Sequence, residues 1–116
     1  MVYGVLDEAL EHFLEALKRG AYFDAHEILE EAWHPLRQAK DPVAKVVRGL
    51  INGAIAFEHL KRNRPQAKTR ACRVWVGYER SKAHFNREMQ TKHKGISLAY
   101  ESVEALKASC GLCCDE

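Results

Sequence analysis

The sequence predicts an all-α fold: a single-domain bundle of about five helices, with an antiparallel hairpin of helices 2 and 3 at its centre. Two observations carry this. Apolar residues recur at steps of three and four through most of the chain, and no stretch reads as a convincing strand. Breaker residues at Gly20, Lys40-Asp41-Pro42, Asn63-Arg64-Pro65 and Gly95-Ile96-Ser97 divide that rhythm into helix-length segments. At 116 residues, the chain is long enough to bury a core without a disulfide or metal to hold it. The bundle is expected over residues 1–109, with a short Cys-rich tail at 110–116.

The first helix runs from Tyr3 to Arg19 on Leu6, Leu10, Phe13, Leu14 and Leu17, with carboxylates early and Lys18-Arg19 late, as the helix dipole favours. Gly20 fits its C-cap. The second runs from Tyr22 to Gln38, and Pro35 within it predicts a kink or an early end. Asp41 and Pro42 suit the N-cap and first position of a third helix that continues to about Arg62. That helix is apolar almost all round, which places it mid-bundle, and its small residues Gly49, Gly53 and Ala54 invite a close neighbour. A fourth begins near Pro65 with Ala67, Ala71, Val74, Trp75 and Tyr78 facing inward. From His84 to Lys94 the pattern weakens toward a loop, and Gly95-Ile96-Ser97 leads into a last helix ending near Ser109-Cys110-Gly111.

The charge is unevenly spread. The formal net charge is +2, but residues 1–60 carry −4, residues 61–94 carry +9 and residues 95–116 carry −3. A basic third of this kind attracts phosphates or an acidic partner, unless it is a solvated face or pairs with the acidic first helix of this or another subunit. The acidic N-terminal run does not resemble a secretory signal. The longest apolar run, Val46 to Phe57, is interrupted by Arg48 and Asn52 and is too short to span a membrane. The chain therefore reads as cytoplasmic and without a membrane partner. In a reducing cytosol Cys72, Cys110, Cys113 and Cys114 are expected as thiols rather than a disulfide framework. Cys110-x-x-Cys113 has the spacing of a redox pair or half a zinc site, but a full site needs a second pair of ligands, for which the candidates are Cys114 and distant histidines.

The candidate functional residues lie on helices 2 and 3. His26, Glu30 and Trp33 share one helical stripe with Glu27 at its edge, and Arg48, Asn52 and His59 share one on helix 3. Folding the hairpin about the Lys40–Val43 turn brings His26 near His59, Trp33 near Asn52 and Arg37 near Arg48, within about one helical turn. The polar residues of both helices thus meet in one seam. One reading is a buried network in which Glu30 accepts from Arg48 or Trp33 and His26 bridges to a backbone carbonyl or a carboxylate. The second is a divalent metal site on His26, Glu30 and His59, with Glu27 or Glu58 as a further candidate ligand, since imidazole and carboxylate suit zinc, iron or manganese and bundle interiors build such sites. The third is metal-free, with the same residues as an acid–base pair or a ligand site.

The run Gly20-Ala21-Tyr22-Phe23-Asp24-Ala25-His26-Glu27-Ile28-Leu29-Glu30-Glu31-Ala32-Trp33, followed by Arg48-Gly49-Leu50-Ile51-Asn52 and His59, resembles domain-of-unknown-function family 309. That is a group of small all-helical prokaryotic proteins. Asp24 stands where the family has glutamate, Asn52 where it has glutamine, and no glycine separates Arg62 from Asn63. The resemblance covers about residues 10–105. It implies a helical fold and a role for the seam, with no agreed reaction. Three functions remain open: an interaction or scaffold module, as a monomer or a homo-oligomer such as a dimer; a metal-binding protein or metal-dependent enzyme; and a binder of nucleic acid or an acidic partner through residues 61–94.

Overall fold

The structure, a computed structural model, describes residues 2–112, with side chains from residue 5 onward. Six helices follow one another: α1 (Val2–Lys18), α2 (Tyr22–Gln38), α3 (Val43–Arg62), α4 (Ala67–Lys82), α5 (Arg87–Lys92) and α6 (Lys94–Cys110). The described residues contain no strand. The fold class is therefore the predicted all-α bundle, with α2 and α3 packed side by side at its centre.

The turns obey backbone chemistry that the sequence announces. Gly20 is left-handed at φ 73°, and the amides of Gly20 and Ala21 bond back to the carbonyls of Leu17 and Ala16. This double bond closes α1 and starts α2 antiparallel to it. The same pattern closes α2, where the amides of Lys40 and Asp41 reach Arg37 and Leu36, but here the left-handed residue is Lys40 at φ 55°. Asp41 Oδ1 then accepts from the Val43 amide at 3.0 Å, so Asp41 caps α3 as expected. Pro35 does not end α2, which continues for most of another turn to Gln38.

Two expectations need correction. The weak stretch after His84 contains a helix, α5, capped by Asn86 Oδ1 accepting from the Met89 amide at 2.9 Å. At six residues it is too short for periodicity to register. The last helix begins at Lys94, so Gly95, Ile96 and Ser97 lie inside it instead of before it. Gly95 is useful there because a Cβ would sit 3.3 Å from Leu10, letting the start of α6 lie close on α1.

Helices α1 to α4 pack successively, and α6 lies across α1 and α3. Where α6 crosses α3 the glycines matter. A Cβ at Gly49 would fall 2.5 Å from the Tyr100 hydroxyl and 2.8 Å from Ser81, and one at Gly53 would fall 3.1 Å from Val103. Phe13, Leu29, Leu36, Leu50, Phe57 and Tyr78 fill the interior, fully buried. Burial of side chains this size stabilises by roughly 1.5–3 kcal/mol each. Leu112, expected in the tail, is buried against this core. No helix among the described residues is long and apolar enough to cross a membrane.

Candidate functional site: the α2–α3 seam and the basic face of α4

The hairpin register is close to the expected one. Tyr22 meets Phe57 with ring centroids 5.6 Å apart, and Arg62 lies over Phe23 at 5.8 Å, which aligns the start of α2 with the end of α3. At the other end Trp33 donates from Nε1 to the Ala44 carbonyl at 3.0 Å and carries Arg48 over its ring. Trp33 thus meets Arg48, one helical turn from the Asn52 expected there. Asn52 turns instead toward α4, where a Cβ at Gly77 would be 2.7 Å from its Nδ2.

The seam is not buried. Of its seven residues only Trp33 is in the core; His26, Glu30, Asn52 and His59 are half-buried, and Glu27 and Arg48 are exposed. The reason lies in the neighbouring stripe. Ala25, Leu29, Ala32 and Leu36 are the buried positions of α2 with Trp33, and their burial turns the polar stripe to the rim. Of the expected network, the bond from His26 to a backbone carbonyl is present, while the bonds to Glu30 are absent among the described residues. Trp33 bonds a backbone carbonyl instead of Glu30, and Arg48 has no carboxylate partner among the described residues. His26 bonds locally: its Nδ1 lies 2.9 Å from the Phe23 carbonyl one turn back, and its ring meets Phe23 edge-on at 5.1 Å.

This arrangement does not assemble the expected ligand set of His26, Glu30 and His59. Among the described residues no three His, Cys, Asp or Glu side chains are grouped so as to hold a metal ion. Cys110 is an exposed free thiol, while Cys72 is disulfide-bonded, a departure from the reading of the cysteines as thiols. Cys113 and Cys114 lie outside the described residues.

What the seam does bring together is cationic and aromatic. Arg37 and Arg48 lie 5.3 and 4.8 Å from the Trp33 ring centroid, and the His34 ring lies 5.1 Å away. The hairpin pairing sets Arg37 near Arg48, and its position four residues after Trp33 is the signal in the sequence that it joins this group.

The basic segment separates into two parts. Trp75 is 3% exposed and Tyr78 fully buried, stacked with centroids 4.0 Å apart, so the aromatics of α4 belong to the core. Lys68, Arg70, Arg73 and Arg80 are exposed and make no ion pair among the described residues. Within the chain the acidic first helix is not their counterpart, because α1 packs on α2 and α6 while α4 packs chiefly on α3.

On the inner side of α4 lies a polar cluster that sequence reasoning missed. The Tyr78 hydroxyl donates to Glu104 Oε2 at 2.5 Å, Lys82 Nζ donates to the same oxygen at 2.9 Å, and the Tyr100 hydroxyl donates to the Val46 carbonyl at 2.6 Å. Burial pushes the Tyr78 and Tyr100 hydroxyls well above the ordinary phenol range, and for Tyr78 the bond to Glu104 adds to it. Burial also pushes the Glu104 carboxyl up, but the bonds from Tyr78 and Lys82 with the lysine charges outweigh it and hold the group below its usual value. No local signal marks these pairs, whose members come from different helices.

Comparison with known proteins bears on the first half of the chain. The family described as Domain of unknown function (DUF309) matches residues 10–70, narrower than the span of about 10–105 suggested by the motif but containing the whole α2–α3 hairpin. An uncharacterised protein of Aquifex aeolicus (strain VF5) is 38% identical over 60 residues, covering 52% of this chain and 17% of that protein. The chain therefore spans under a fifth of that relative's length. No solved structure matches it. The family match covers more than half of the chain, and the protein belongs to the Domain of unknown function (DUF309) family.

Proposed function

We propose that the chain is a helical interaction module that holds a nucleic-acid backbone against the exposed cations of α4. The observation behind this is the set Lys68, Arg70, Arg73 and Arg80, exposed along one helix without ion-pair partners among the described residues. Arginine suits the role because its planar fork donates two parallel bonds to phosphate oxygens. With Trp75 and Tyr78 in the core, α4 offers no aromatic platform for stacking bases. Recognition would thus be led by phosphate and insensitive to sequence, and the cytoplasm is the compartment where such a partner would be met.

The test is a titration of labelled duplexes of unrelated sequence at several salt concentrations. Similar affinities for all duplexes are expected, with a slope of log K against log salt of about −3 to −4, as four phosphate contacts give. Affinity that does not weaken with salt, or that persists when the four cations are replaced by glutamine, would refute the proposal.

A further inference from the structure

We infer that Arg37 and Arg48, gathered over the Trp33 indole, form a binding site for a phosphate group that is separate from the α4 face. The inference does not depend on the proposed function, because the two residues belong to α2 and α3. The indole is a fixed platform: Trp33 is 8% exposed, and its Nε1 is tied to the Ala44 carbonyl at 3.0 Å. Both guanidinium carbons lie close to its centroid, at 5.3 and 4.8 Å. That puts two like charges within about one Debye length (~10 Å at 0.1 M salt), so their repulsion is only partly screened.

Neither charge is neutralised by a carboxylate among the described residues, and both side chains are exposed. A cation held by the face of an aromatic ring keeps its N–H donors available to a further partner. Two such forks leaving one platform suit a tetrahedral oxyanion with oxygens to spare for each. A planar carboxylate occupies one fork and leaves the other charge unmatched. A bound phosphate would also remove the repulsion that the free site carries.

The chain has two tryptophans, so Trp75→Phe leaves Trp33 as the sole indole reporter. The substitution removes an Nε1 that is buried without an acceptor among the described residues, at the cost of some core volume beside Tyr78 and Phe57, so its fold is checked before titration. Titrating this protein with inorganic phosphate, at ionic strength held constant with chloride, should give a saturable change in Trp33 emission. Acetate should bind at least tenfold more weakly. The response should vanish in Arg37→Ala/Arg48→Ala, weaken at least tenfold in Arg37→Lys/Arg48→Lys, and persist when Lys68, Arg70, Arg73 and Arg80 are replaced by glutamine.

Circular dichroism of each variant separates loss of binding from loss of fold. Tighter binding of glycerol phosphate than of dimethyl phosphate would support the site and assign it to small phosphomonoesters; the reverse order would support it and assign it to a diester backbone. No saturable response in the folded protein would overturn the inference. So would an unchanged response in either arginine variant, or its loss on neutralising α4 alone.

Discussion

Two polar regions of this small bundle differ in how their charges are handled. Behind α4, the hydroxyls of Tyr78 and Tyr100 and the Lys82 ammonium each find an acceptor, with Glu104 taking two of the three bonds. Along the α2–α3 seam, two arginines share one indole with no carboxylate to match them among the described residues. The first arrangement is what a protein needs to hold helices together, since a buried donor left unbonded is costly. The second contributes little to holding them and leaves charge for something else. The difference teaches that conspicuous residue types are a poor guide to structural weight: His26 and His59 draw attention in the sequence, while Tyr78 and Glu104 tie the helices.

The comparison can be broken most severely at the close approach of α3 to α6. Gly49→Ala puts a methyl 2.5 Å from the Tyr100 hydroxyl and 2.8 Å from Ser81, so one helix must move. A loss of roughly 1–3 kcal/mol or more is expected in denaturant unfolding. A loss under half a kcal/mol would mean that α6 is not held as described.

Next in size is Tyr78→Phe, which removes one donor to an ionised carboxylate and should lower stability by about 1–2 kcal/mol. The same bond predicts a pH dependence. Because the Glu104 carboxyl is held below its ordinary value of 4.5, its contribution is present above that pH and is lost as pH falls further. In unfolding followed from neutral pH downward, Glu104→Gln should differ most from the parent near neutrality, and the gap should close as pH falls below 4.5. A gap that widens with acid would reverse the assigned sign. At the alkaline end, the raised Tyr78 and Tyr100 hydroxyls contribute stability up to the ordinary phenol value of 10.0, and it declines as pH rises beyond.

The seam should give smaller effects. His26 makes one local bond and His59 is half-buried, so His26→Ala and His59→Ala should each lower stability by under about 1 kcal/mol. A loss of the roughly 3–5 kcal/mol that follows from breaking a buried charged network would restore the reading of the seam as a closed interior.

Much of the fold was legible in the sequence. The bounds of α2 fall on Tyr22 and Gln38 as expected, the Gly20 turn and the Asp41 cap are in place, and the hairpin register is right to within one turn. These features depend on residues a few positions apart. The placement of the seam was less legible, because spacing puts His26, Glu30 and Trp33 on one stripe without saying whether that stripe or the one through Ala25, Leu29, Ala32 and Leu36 faces inward. Greater apolarity decides, and it favoured the second. The Tyr78–Glu104 bond was out of reach for another reason: its partners stand 26 residues apart on helices whose contact only the folded chain defines.

The central claim is that cations on α4 serve binding and not stability. It is tested most directly by replacing Lys68, Arg70, Arg73 and Arg80 with glutamine and measuring thermal unfolding and duplex affinity on the same sample. The account predicts a melting temperature within a few degrees of the parent, since exposed, unpaired charges contribute under about 1 kcal/mol, together with an affinity loss of at least tenfold. Unchanged affinity, or a loss of affinity that merely follows a collapse in melting temperature, would contradict it.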